Sequence, residues 1–227
     1  MVISQIYSPV DADEALKCIE LGSDYIGEVV AQDGFISPHN DVFSVEHVRG
    51  IFDAIKGKAV CVLIGIEKDP EKLLDLCIAT GAEIAQNVML DHEADMQFYE
   101  FRNERMPSLK IMKSVFVRDE SSVKEALDAV PYCDMIILDS PGTGSVGGGT
   151  TGKTHDWSLS KKIIDNAGVP VILAGGLGPD NLAKAIEELH PFGVDSFSKV
   201  SVLDKFGRLI GKDFEKVEEF CRIAHSY

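Results

Sequence analysis

The chain has little positive charge: 22 lysines and arginines stand against 37 aspartates and glutamates, a formal net charge of −15. Nucleic-acid binders rest their affinity on clustered Lys and Arg, so no nucleic-acid partner is expected, and any anionic ligand needs a local positive site. Cysteine is sparse and unpatterned. Cys18, Cys61, Cys77, Cys133 and Cys221 are odd in number, widely spaced and free of any CxxC, which argues against a disulfide framework or a zinc site and leaves reduced, mostly buried thiols. Long apolar runs are missing as well. No window approaches the roughly 20 apolar residues of a membrane helix, and Met1 to Pro9 lacks the basic segment of a signal peptide. The expected setting is the cytoplasm, without a membrane partner. Linkers and low-complexity tracts are also absent, so the 227 residues read as a single domain, within the roughly 250 of one α/β barrel.

What is present is an alternation of short apolar runs rich in Val and Ile with longer amphipathic stretches, the pattern of βα units around a parallel sheet. The expected strands are 2–7, 25–30, 59–65, 83–87, 110–115, 135–139, 170–174 and 194–198. Their continuous hydrophobicity suits strands covered on both faces. Between them, Ala12, Ala15, Leu16 and Ile19 share one helical face, as do Leu182, Ala185, Ile186 and Leu189. Asp11 with Glu14 resembles a capping box, Pro179 suits a first helical turn, and Asp156 suits an N-cap. A final helix over 214–224 places Phe214, Val217, Cys221 and Ala224 on one side. Eight such units predict a closed (β/α)8 TIM barrel of the α/β class, with its chemistry at the carboxyl ends of the strands.

After the sixth strand, residues 139–154 match two nucleotide-binding patterns. Gly147 to Thr154 fits GxxxxGK[ST] and Gly142 to Gly147 fits GxGxxG. A true phosphate loop follows its strand directly and opens a helix at the Gly-Lys. Here seven residues intervene after Asp139, and His155-Asp156-Trp157 precede the next helical pattern. The better reading is an active-site loop whose glycines permit close backbone approach to a ligand.

Taken with its neighbours, this loop makes the chain resemble the phosphoribosylanthranilate isomerase family. Ile-Ile-Leu-Asp139-Ser is similar to that family's Leu-Leu-Asp-Ser strand end, and Gly149-Thr-Thr-Gly-Lys-Thr-His-Asp-Trp157 to its Gly-rich loop running into Phe-Asp-Trp. Gly175-Gly-Leu-Gly-Pro-Asp-Asn181 is similar to its Gly-Gly-Leu-x-Pro-x-Asn; Val194-Asp195 and Gly211-Lys-Asp213 also fall in order. Other stretches depart. The family's Lys-Ile-Cys-Gly, whose Cys is the general base, is Gln5-Ile6-Tyr7-Ser8. Its Arg for the anthranilate carboxylate is Gly34, and Gly-Phe-Val is Gly27-Glu28-Val29. Gln-Leu-His-Gly is Gln86-Asn87-Val88-Met89, and Ser-Ser-Gly-Val-Glu is Phe197-Ser198-Lys199-Val200-Ser201.

The resemblance implies a barrel of tryptophan biosynthesis performing an Amadori rearrangement, which needs an acid for the ribose ring oxygen and a base for the C2 proton. It implies neither cofactor nor metal. Asp139 matches the acid. Tyr7 stands where the base would be, and with a reference pKa near 10 it needs a nearby cation such as Lys199 or Lys113. Glu28 is an alternative base, since a carboxylate on a buried strand is costly without a partner, and a salt bridge to Lys113 is its structural alternative. His155 replaces a Phe and can carry protons. Gly149, Thr150 and Gly152, then Gly175, Gly176, Ser198 and Lys199, are the candidates for binding substrate and phosphate. The expected ligand is a small sugar phosphate, isomerised by an Amadori or aldose-ketose reaction with an altered base and aglycone pocket. The alternatives are a noncatalytic sugar-phosphate-binding paralogue and, less favoured, a nucleotide-binding loop protein. The expected assembly is a monomer or homodimer.

Overall fold

In the computed structural model, which describes residues 1–31, 37, 39, 41–141 and 156–227, the Val- and Ile-rich runs pair in parallel as expected. The strands are β1 (Ile3–Tyr7), β2 (Tyr25–Ala31), β3 (Val60–Ile66), β4 (Ile84–Asn87), β5 (Lys110–Phe116), β6 (Met135–Asp139), β7 (Val171–Leu173) and β8 (Gly193–Ser196). Each bonds to the next, and β8 closes on β1 with Ile3 opposite Gly193 and Ile6 opposite Ser196. The expected (β/α)8 barrel is therefore the observed fold.

Helices α1 (Ala12–Glu20), α2 (Val45–Ile55), α3 (Pro70–Thr80), α4 (His92–Arg105), α5 (Glu120–Ala129), α6 (Trp157–Asn166), α7 (Leu182–Leu189) and α8 (Phe214–His225) form the outer ring. Most start on an aspartate or serine whose side chain accepts an otherwise unpaired N–H of the first turn. Asp11 accepts from Glu14, Asp69 from Glu71 and Lys72, and Asp156 from Ser158. Glu14 does not close a capping box on Asp11. Its carboxylate accepts from Val10 N at 2.7 Å and from Lys212 N at 2.6 Å, tying α1 to the chain's last strand. Pro179 lies before α7 rather than in its first turn, because Gly178 O accepts from both Asn181 and Leu182 in a preceding turn. On α8, Val217, Phe220, Cys221 and Ala224 are buried, whereas Phe214 is largely exposed.

The apolar core has two layers. The larger lies between strands and helices and holds Ile6, Leu63, Leu73, Phe98, Leu138 and Phe220. Inside the barrel, Val62, Ile84, Met112, Ile137 and Ile172 fill the lower half, so the barrel is closed from below. An unexpected antiparallel hairpin, β9 (Ser201–Leu203) with β10 (Leu209–Lys212), follows β8. Its turn carries Asp204 and Gly207 between two short apolar runs, a readable hairpin signal. The hairpin braces the barrel mouth, with Leu209 N donating to His39 O at 2.7 Å and the His39 ring meeting Gly207 O at 2.8 Å.

Candidate functional site

A pocket opens above the apolar plug at the carboxyl ends of the strands. Its floor is polar: Gln5, Gln86, Ser114, Asp139 and Asp195 come from alternate positions of β1, β4, β5, β6 and β8. Side chains of parallel strands alternate between the barrel interior and the helix layer, so each of these residues has one apolar chain neighbour (Ile6, Ala85, Val115, Leu138 or Val194) in the outer core. One wall is apolar, formed by Ile64, Ile66, Val88 and Phe116. Gly175, Gly176, Leu177 and the segment Ser196 to Ser198 form the wall on the β7 and β8 side.

Asp139 sits where its sequence context puts it, at the end of β6 facing the pocket. Burial raises its carboxyl to a pKa of about 7, partly offset by the Ser140 N–H, which donates to Oδ1 at 2.7 Å. Gly175 explains how Asp139 is held. Its φ of +87° is strained for any L residue, and a Cβ there would stand 2.3 Å from Ser140 Oγ and 3.0 Å from Asp139 Oδ1. A side chain at this position would displace both Ser140 and Asp139.

Sequence reading missed a second carboxylate. Asp195 lines the same pocket, and burial together with the charge of Asp139 raises its pKa to about 8, against a side-chain hydrogen bond from Gln5. The available signal was a lone charge in the buried strand Gly193-Val-Asp-Ser196, a placement that is costly without a use. Two carboxylates in one pocket with raised pKa values share protons near neutrality and titrate as a pair.

The candidate bases fare differently. Tyr7 lines the pocket, with Gly27 leaving room for its ring: a Cβ on Gly27 would lie 3.2 Å from Tyr7 Cδ2. Among the described residues, no cation lowers its pKa. Burial, then the charges of Asp41, Asp195, Glu28 and Asp139, push its phenol well above the ordinary value. At neutral pH Tyr7 is therefore a proton donor and a wall, packed edge-on against Phe197 with centroids 5.1 Å apart. Ser8, which follows it, holds φ +52°, so the strand turns out of the barrel in a conformation that favours glycine.

Glu28 does not line the pocket. Gly27 faces the interior, so Glu28 projects to the helix side of β2, fully buried, with neither carboxylate oxygen hydrogen-bonded. Burial raises its pKa and nearby Lys212 lowers it. The structural alternative, a salt bridge from Glu28 to Lys113, does not form either. Lys113 instead pairs with Asp95 at 2.7 Å and donates to Leu90 O at 2.7 Å. Lys212 is itself buried, donating to Ser201 Oγ at 2.8 Å, with Nζ 4.7 Å from the Phe197 centroid. Burial lowers its pKa to about 8.

Of the other candidates, Gly175, Gly176 and Ser198 reach the pocket. Lys199 does not line it, since its ammonium pairs at the rim with Asp180 at 3.2 Å. His155, Gly149, Thr150, Gly152, Gly34 and the GxxxxGK[ST] match all lie outside the described residues. Among the described residues, no group of three or more His, Cys, Asp or Glu could hold a metal ion, and no helix is long and apolar enough to cross a membrane.

The model of the N-(5'-phosphoribosyl)anthranilate isomerase family matches residues 91–221. The isomerase of Methanocella arvoryzae is 31% identical over 208 residues, 92% of this chain and 91% of that one. That of Rubrobacter xylanophilus is 32% identical over 83% of this chain and 84% of its own. The crystal structure of the Thermotoga maritima enzyme superposes with a TM-score of 0.79 at 27% identity, covering both chains completely. With the family model matching over half of the chain and the fold in agreement, this chain belongs to the N-(5'-phosphoribosyl)anthranilate isomerase family.

Proposed function

We propose that the protein is a sugar-phosphate isomerase performing an Amadori-type rearrangement of a 5-phosphoribosylamine, with Asp139 as acid and Asp195 as base. The observation that carries this is the pair of buried carboxylates lining one pocket, which share protons near neutrality; the acid is assigned to Asp139 because its strand end matches that of the family's acid. In the reaction, Asp139 gives its proton to the ring oxygen as the C1–O bond breaks and the nitrogen lone pair forms the C=N bond. Asp195 then takes the C2 proton, and the C–H electrons form the C1=C2 bond of an enolamine, which tautomerises to the 1-amino-1-deoxyketose. Tyr7 stays protonated and walls the pocket.

For the phosphate, Gly176 and Ser198 supply backbone N–H groups beside the turn before α7. Gly149, Thr150 and Gly152, outside the described residues, remain candidates for substrate binding on the family resemblance alone. Lys199 is close in sequence and helps from the rim once released from Asp180. The protein works as a monomer or homodimer in the cytoplasm.

The test is turnover of N-(5'-phosphoribosyl)arylamines made in place from ribose 5-phosphate and the amine, with wild type beside Asp139→Asn, Asp195→Asn and Tyr7→Cys. Activity in the wild type that falls at least ~100-fold in each Asn variant is the expected result. A noncatalytic binding protein, the reading that Tyr7 in place of a base favours, would leave these compounds unchanged while being stabilised by them.

A further inference from the structure

The hairpin of β9 and β10 buries a lysine behind the β8 side of the pocket. Lys212 is 5% exposed and stands opposite Ser201 in the hairpin register. Gly211 lets it sit close to α1, since a Cβ there would lie 2.7 Å from Glu14 Oε1, the oxygen that accepts the Lys212 N–H. Cys18 and Glu14 of α1, Glu28 of β2 and Asp195 of β8 are the ionisable groups that act on its side chain. Its direct contacts are with two other residues. Nζ donates to Ser201 Oγ at 2.8 Å and stands 4.7 Å from the centre of the Phe197 ring. Burial lowers its pKa to about 8, so at pH 7 the amine is mostly protonated.

From Ser201 the hydrogen bonds continue to the pocket wall. Ser201 Oγ donates to Phe197 O at 2.7 Å, and Val200 N donates to the same oxygen at 3.2 Å. That carbonyl belongs to the peptide unit whose N–H is that of Ser198. A trans peptide is planar, with its N–H and C=O pointing in opposite directions, so holding Phe197 O on Ser201 fixes the line along which the Ser198 N–H donates. Phe197 and Ser198 both line the pocket. The Phe197 ring is held as well, by the Lys212 ammonium and by the edge-on ring of Tyr7. Hydrogen bonds in series polarise one another in a low-dielectric interior, so the charge of Lys212 makes the Ser198 N–H a stronger donor to an anion. Phe197 and Ser201 stand where the family pattern has Ser and Glu, so the series is built on departures particular to this chain.

We propose that Lys212 is a positioning residue for phosphate binding, acting through Ser201 and the peptide joining Phe197 to Ser198 to aim and polarise the Ser198 N–H. The inference rests on the assignment of Ser198 to the phosphate and adds the cation behind it. It is independent of which residue serves as base.

Lys212 also offsets the buried charge of Glu28, and the experiment separates the two roles. Lys212→Met alone leaves Glu28 without that charge and should lower stability, whereas Lys212→Met/Glu28→Met removes both groups and should recover the urea midpoint. Ribose 5-phosphate is titrated by calorimetry at pH 7 into the wild type, Glu28→Met, Ser201→Ala and Lys212→Met/Glu28→Met. Glu28→Met should bind like the wild type, and the other two variants at least ~10-fold more weakly, the scale of a lost hydrogen bond to a charged group. For an N-(5'-phosphoribosyl)arylamine, KM should rise by the same factor with kcat unchanged. Wild-type affinity in Ser201→Ala, or in a folded Lys212→Met/Glu28→Met protein, overturns the proposal and leaves Lys212 a structural role alone. Failure of the wild type to bind ribose 5-phosphate overturns the phosphate assignment, and the proposal with it.

Discussion

Replacing Asp139 by Asn should stabilise the fold at alkaline pH while removing turnover. The folded carboxyl has a pKa of about 7, against about 3.9 for an unfolded aspartate, and that gap corresponds to about 4 kcal/mol. Because the folded value is raised, the stability tied to this group is complete below about pH 4, declines as pH rises, and is gone above about pH 7. Asn carries no charge to bury, and its oxygen still accepts the Ser140 N–H that Asp139 accepts at 2.7 Å. The variant should therefore gain little at pH 4.5, and on the order of 2–4 kcal/mol at pH 8.5. Losing the charge of Asp139 also lowers the pKa of Asp195, whose rise it helps to cause, which adds to the gain. Urea unfolding at three or four pH values reads this directly through the midpoint at constant slope. A stability difference that stays flat across pH, or a variant less stable at pH 8.5 than the wild type, would refute the claim that Asp139 is a strained buried acid.

Other outcomes follow from the same physics. Lys113→Met leaves Asp95, 5% exposed and bonded to Asn87 at 2.7 Å, as an unpaired buried charge; unfolding should show a loss of about 3–5 kcal/mol, largely recovered in Lys113→Met/Asp95→Leu. Gly175→Ala forces an L residue to φ +87° and pushes Ser140 and Asp139 from their seats. It should lower turnover about 100-fold, the scale of a misplaced reacting group, with only a modest change in substrate affinity.

The barrel was legible in the sequence because it rests on repetition. Eight Val- and Ile-rich runs between amphipathic helices have few other folded solutions, and all eight strands fall within two residues of their expected bounds, β7 and β8 being shorter than expected. The hairpin of β9 and β10 was missed because two runs of three and four residues, paired only with each other, carry no periodicity beyond the turn. The site was only partly legible. Asp139 follows from its strand end, but the roles of Glu28 and Asp195 depend on which face of a strand each occupies. That parity is set by register inside a closed barrel, where both faces are apolar and alternation is silent. Glu28 therefore read as a base and stands behind the wall, while Asp195 read as part of a strand and stands in the pocket. The surroundings of Tyr7 were equally hidden. Four acidic residues far apart in the chain act on its phenol, and no local pattern reveals that convergence.

The most direct test of the acid-base pair is the pH dependence of kcat/KM for an N-(5'-phosphoribosyl)arylamine in the wild type and in the Asp139→Asn and Asp195→Asn variants. The pair predicts a narrow bell for the wild type, with limbs near about 7 and about 8, and near-complete loss of rate in both variants. A rate that is flat from pH 6 to 9, an Asn variant that keeps wild-type turnover, or no wild-type turnover at any pH would contradict the account.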